Sequence, residues 1–214
     1  EEVATAVFGL IEPFAGYAFN KAHAVSYALI AYWTAYFKST YKVDYMTAML
    51  NSHLGNTDRA SAVIAECFRL KIPIKGPDVN MSDSDFTVQA TSEGDRGIRF
   101  GLAAVKNVGP SAVAPIVKAK AEGGPFETLE DFCRRADLHG LNKRTVESLV
   151  KVGALDSFGY DRGTLAANVS RIVSLAQEGA RLRDSGQTTM FDLFGESVAT
   201  PIAALDLEVS PVSP

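Results

Sequence analysis

Lys106, Asn107, Val108 and Gly109 stand directly before Pro110 and Ser111, an order of residue types suited to holding a phosphate oxygen. Proline is at home in the first turn of a helix, where its missing N–H costs nothing. Asn107 and Gly109 are the two residue types that tolerate left-handed backbone. A turn of this kind leaves main-chain amides unpaired at the start of the next helix, with the helix dipole behind them. Lys106 adds a cation beside those donors. A weaker copy lies downstream, where Asn142 can cap a helix that opens with Lys143 and Arg144 and stops at Gly153.

These two stretches resemble the helix-hairpin-helix family, whose hairpin places glycines between hydrophobic residues and follows them with Ala and Ile at helical spacing. Here Ala112 and Ile116 hold the latter positions, and Asn107 stands where the family has its first glycine. Paired hairpins of this kind grip a nucleic-acid backbone without reading bases, because amides and lysines reach phosphates rather than base edges. An ordinary αα-hairpin packing two helices together uses the same turn.

Two other constellations could carry chemistry. Asn20, Lys21 and His23 open an otherwise apolar helix, where amides, dipole and a mobile ammonium together suit an anion. Gln187, Met190 and Phe191 lie in a polar, glycine-flanked stretch, and a glutamine followed by two adjacent apolar anchors is the form of a linear peptide that fills a partner's pocket. Asp83 and Asp85 have the spacing of a metal-binding pair but sit in a turn-rich connector. A hard cation needs more converging oxygens than they supply, so no metal site is expected.

The elements that must position these residues are mainly helical. Val25, Leu29, Tyr32, Trp33 and Tyr36 recur at helical spacing, with small rather than charged residues opposite, so this helix is expected to be nearly surrounded by protein. Further helices are expected over 43–54, ended by Gly55, and over 58–71, with Ala60, Val63, Ile64, Cys67 and Phe68 facing inward. Phe86 and Val88, then Ile98 and Phe100, alternate as a short β-hairpin, and a last helix is expected over 162–183. The fold class is therefore mainly α. A helical bundle occupies residues 1–75, a connector with a β-hairpin 76–100, a tandem helix-hairpin-helix region 101–184, and a peptide with a flexible tail 185–214.

Composition narrows the functions available. The chain has 214 residues, 47% of them hydrophobic and 21% charged, as ordinary globular proteins do. Its two cysteines, Cys67 and Cys133, form no CxxC pair, which fits a reducing, cytoplasmic setting without structural zinc. The apolar run from Ala22 to Phe37 is short for a membrane span, and its aromatics are scattered along it instead of gathered at its ends. Net charge is −4, yet residues 98–159 carry nine Lys and Arg against seven Asp and Glu. The opening Glu-Glu-Val reads as the start of a piece of something longer.

Taken in order, GYAFNKAHAVSYALIAYWTAYFK, GPDVNMSDSDF, IRFGLAAVKNVG, GPFETLEDFCRR and LNKRTVESLVKVGALD resemble the bacterial DNA polymerase III α subunits, which are C-family replicative polymerases. Ala18 and Ala22 replace a glycine and a serine of that family's usual form. The resemblance implies that residues 1 to about 75 belong to the fingers, with Asn20, Lys21 and His23 near the incoming nucleotide or template. It implies duplex DNA as the ligand of the hairpins (Lys106, Asn107, Val108, Gly109, Ser111, Asn142, Lys143, Arg144). Gln187, Met190 and Phe191 would engage the sliding clamp, and the rest of the α subunit and holoenzyme would be further partners. The catalytic aspartates and their magnesium ions would lie in a palm outside this chain, leaving no catalytic residue and no cofactor within it. A stand-alone helix-hairpin-helix accessory module of a repair protein is the competing expectation.

Overall fold

A computed structural model describes residues 1–15, 19–91, 94–136, 142–184 and 207–209. The chain divides into two compact units, Glu1–Tyr45 and Met46–Pro214. The first contains α1 (Glu2–Ala15) and α2 (Lys21–Thr40). Asn20 caps α2 as its sequence position requires, its side-chain oxygen accepting from the His23 N–H at 3.0 Å. The expected burial of α2 is not observed: none of its residues is buried, and Tyr32 and Trp33 are 67% and 51% exposed. Its apolar residues need covering surfaces on several sides, which its own unit does not supply.

Helix α3 (Lys42–Ser52) runs into the second unit, where α4 (Thr57–Arg69) follows. Met46, Leu50, Val63 and Cys67 of these helices are buried, but Phe68 is 68% exposed, contrary to its expected inward position. It falls on the edge of the buried stripe, one residue past Cys67. Helix α4 ends with Lys71 in the left-handed region (φ 58), the Ile72 N–H donating to the Cys67 carbonyl at 2.9 Å and the Lys71 N–H to Phe68 at 3.0 Å.

The expected hairpin is present as β2 (Thr87–Ala90) and β3 (Arg96–Arg99), antiparallel, with Val88 opposite Ile98. A third strand, β1 (Ile74–Lys75), pairs with β3 in parallel and lies at the end of residues 1–75, which the sequence presents as a helical bundle. Two residues are too few for an alternation pattern to reveal. The turn chemistry of the aspartate-rich connector comes from Asp78, whose carboxylate accepts from the Asn80 and Met81 amides, at 2.8 and 3.1 Å. Asp83 instead meets Lys120 Nζ at 3.3 Å.

The remaining helices are α5 (Pro110–Gly123), α6 (Leu129–Arg135), α7 (Lys143–Lys151), α8 (Arg162–Ala167) and α9 (Val169–Asp184). Leu102, Val113, Ile116, Leu129, Phe132, Leu149, Leu155, Leu165 and Ile172 are fully buried in one core. The single long helix expected from residue 162 is broken at Asn168, whose side chain is committed to other contacts. Both cysteines are buried, and burial, with nearby Glu66 and Glu130, pushes the Cys67 thiol up to about 11 and the Cys133 thiol to about 12. They are core residues with little thiolate. No helix among the described residues is long and apolar enough to cross a membrane.

Candidate nucleic-acid interface

The first hairpin turn follows a short 3-10 turn at Leu102–Ala104 and opens α5. Val108 is the plug, 3% exposed, while Lys106, Asn107, Gly109 and Ser111 lie on the surface. Of the two residues able to take left-handed backbone, only Asn107 does so, at φ 67. Gly109 is extended (φ −90, ψ 163), and a Cβ placed there would meet nothing nearer than Ser111 Oγ at 3.9 Å. Glycine is therefore not required at 109 by backbone strain; its lack of a side chain leaves the neighbouring amides uncovered. The N–H groups of Gly109 and Ser111 donate to no partner among the described residues.

Residues 137–141 of the second hairpin lie outside the described residues, and its described part begins at Asn142, before α7. Asn142 Oδ1 accepts from the Thr145 N–H at 2.9 Å, so the expected cap is in place. Lys143 and Arg144 are exposed, and their N–H groups likewise donate to no described partner. Gly153 ends α7 at φ 79, with the Ala154 N–H donating to Leu149 at 2.9 Å and the Gly153 N–H to Val150 at 3.0 Å.

Tertiary structure ties the first turn to α7 through residues that the motif does not mark. Thr145 Oγ1 donates to the Asn107 carbonyl at 3.0 Å. Asn107 Nδ2 donates to Ser148 Oγ at 3.1 Å, and Ser148 Oγ donates to the Arg144 carbonyl at 2.9 Å. The left-handed residue of one hairpin is thus held by the first two turns of the other hairpin's helix. Chemically, the result is two sets of main-chain donors with Lys106, Lys143 and Arg144 beside them, and no carboxylate among the described residues is paired to any of the three cations. This arrangement suits phosphate oxygens.

The other candidates are distributed differently. Asn20, Lys21 and His23 are exposed at the start of α2 in the first unit, and the His23 ring packs edge-on against Tyr27 with centroids 4.4 Å apart. Gln187, Met190 and Phe191 lie outside the described residues. Among the described residues, no group of three or more His, Cys, Asp or Glu is placed to hold a metal ion.

A helix-hairpin-helix motif family matches residues 71–165. The chain is 41% identical over 217 residues to the DNA polymerase III subunit alpha of Pseudomonas aeruginosa, covering 94% of this chain and 18% of that protein. The corresponding Thermus aquaticus subunit is 41% identical over 212 residues, covering 99% of this chain and 16% of the relative. That of Haemophilus influenzae is 36% identical over 196 residues, covering 92% and 17%. The chain thus spans under a fifth of the length of the relatives it matches.

Because Asn107 combines a left-handed backbone with a side-chain tie, its two replacements separate the effects. Asn107→Ala loses the Ser148 bond and strains the backbone, and should destabilise the chain by about 1–2 kcal/mol. Asn107→Gly loses only the bond and should cost about half as much. Urea unfolding of both variants measures the difference, and equal losses would remove the backbone argument.

Proposed function

From a chain homologous over more than nine-tenths of its length to one segment of the DNA polymerase III alpha subunits, we propose a duplex-gripping, non-catalytic portion of a replicative DNA polymerase, a nucleotidyltransferase of DNA-templated DNA synthesis. The carrying observation is the tie from Thr145 and Ser148 to Asn107, which joins the first hairpin turn to α7, each with its surface amides and cations. Phosphates of one duplex strand are the ligands that such a pair of turns fits, and backbone donors make the grip independent of base sequence. Nucleotidyl transfer is assigned to catalytic carboxylates and magnesium in a palm elsewhere in the polymerase, which acts in the cytoplasm. The exposed aromatic residues of α2 favour this reading over a stand-alone repair accessory module, since a free-standing domain rarely leaves so many large apolar groups in water.

In the full polymerase, duplex affinity should fall about 100-fold between about 50 and 200 mM salt if about four phosphates are neutralised. Combined Lys143→Ala and Arg144→Ala substitution should flatten the log–log slope by about two and weaken all duplex sequences alike. A change in sequence preference, or a slope untouched by both substitutions, refutes backbone recognition by these turns.

Lys21 and His23, with Asn20 as cap, are assigned to the fingers, contacting the triphosphate of the incoming nucleotide or the adjacent template. Steady-state kinetics of Lys21→Ala should show a raised KM for nucleotide or a lowered kcat; wild-type values for both would reject the assignment.

Gln187, Met190 and Phe191 are assigned to the sliding clamp, a pocket-filling peptide with one polar and two apolar anchors. Replacing Met190 and Phe191 with alanine should abolish clamp binding by the full polymerase and leave duplex affinity unchanged. Clamp affinity equal to wild type would overturn this.

A further inference from the structure

The junction between α8 and α9 holds a piece of chain from far downstream. Asn168, the residue that separates the two helices, is 3% exposed. Its Nδ2 donates to the Thr164 carbonyl at 2.8 Å and to the Glu208 carbonyl at 2.9 Å, while its Oδ1 accepts from the Glu208 N–H at 3.2 Å. Leu207 is half-buried against the main core. Arg171 meets the Glu208 carboxylate at 2.9 Å, but with the two side chains 49% and 78% exposed this pair adds little. The retaining contacts are the leucine and the two-point pairing of a carboxamide with one backbone unit. The same pairing joins Asn51 to Phe86 and Asn80 to Phe126, where it fixes chain crossings within the fold. A buried carboxamide is costly unless both its ends are bonded, and the Glu208 N–H is the partner of the Asn168 oxygen. The junction is complete only when it is occupied.

We propose that this notch is a binding site for an extended peptide, fitted to an apolar residue followed by a residue presenting both backbone groups, and that its occupant is the chain's own Leu207–Val209. In sequence, Gln187, Met190 and Phe191 fall between the end of α9 and the notch. This deepens the clamp-peptide assignment and rests on it for its functional part. A peptide carried between two anchors loses less chain entropy on docking than one carried on a one-ended tail, so the notch raises clamp affinity. Asn168 is a positioning residue in this scheme, acting through Glu208.

The test uses the full polymerase with Asn168→Ala and, because that change could disturb the α8–α9 junction, Leu207→Ser, which leaves the junction's own residues intact. In the wild type, the Glu208 amide should exchange with deuterium at least about ten-fold more slowly than unstructured chain. Both variants should release it to the unstructured rate and weaken clamp binding by about three- to ten-fold, with duplex affinity unchanged. An unprotected Glu208 amide in the wild type overturns the notch. A released strap with wild-type clamp affinity overturns its positioning role. Protection at Glu208 with clamp binding indifferent to Met190→Ala and Phe191→Ala rejects the peptide assignment alone and supports the notch.

Discussion

Backbone groups in irregular chain must find partners once they leave water, and here asparagine side chains provide many of them. Among the described residues the sheet has three short strands, so most of their long-range crossings are not closed by strand pairing. Asn51 binds both backbone groups of Phe86, and Asn80 both those of Phe126, at 2.7 to 3.0 Å. A carboxamide presents an N–H donor and a carbonyl acceptor along one edge, with a second N–H besides, and so completes the N–H and C=O of one residue without a strand. Leaving one such unit unpaired in the interior costs about 1–3 kcal/mol, comparable with a sizeable part of a domain's net stability. The sheet, the connector and α5 to α6 keep their positions because these pairings hold.

Arg135 performs the corresponding task for the hairpin region. Its guanidinium donates to the Asp131 carboxylate at 2.9 Å and to the carbonyls of Ala119, Gly124 and Pro125, and it lies 4.7 Å from the Phe126 ring centroid. Burial pushes the Asp131 carboxyl upward, but Arg135, the Glu127 amide and Arg134 outweigh it and hold the group below its ordinary value. The carboxylate stays ionised and the arginine stays fixed. The C-terminal end of α5 is thereby clamped to α6, which leaves its N-terminal end, with the Gly109 and Ser111 amides, as a rigid rim.

A chain with net charge −4 can still expose uncovered main-chain amides with a few cations placed among them, a local arrangement suited to an anion. Formal charge describes the whole molecule, whereas phosphate recognition depends on a few ångströms around each turn. The uncovered aromatic residues of α2 belong to a different constraint: they are apolar surface that water disfavours, and they mark a helix made to be packed.

Helix ends and hairpin turns were legible in the sequence because their causes are local. Asn20 and Asn142 cap the helices they precede, Gly153 takes the left-handed conformation that stops α7, and Pro110 opens α5. The pairing of β2 with β3 was legible for the same reason, although neither strand alternates buried with exposed residues. Tertiary structure alone decided that Asn107, rather than Gly109, would be left-handed, since the choice depends on Thr145 and Ser148 across the fold. It also decided the two-residue β1, the exposure of Phe68 and the break at Asn168, where a side chain is claimed by Glu208. Short-range sterics and capping are written in neighbouring residues, but a hydrogen bond between residues far apart in the chain leaves no periodic trace and exists only after the chain has closed on itself.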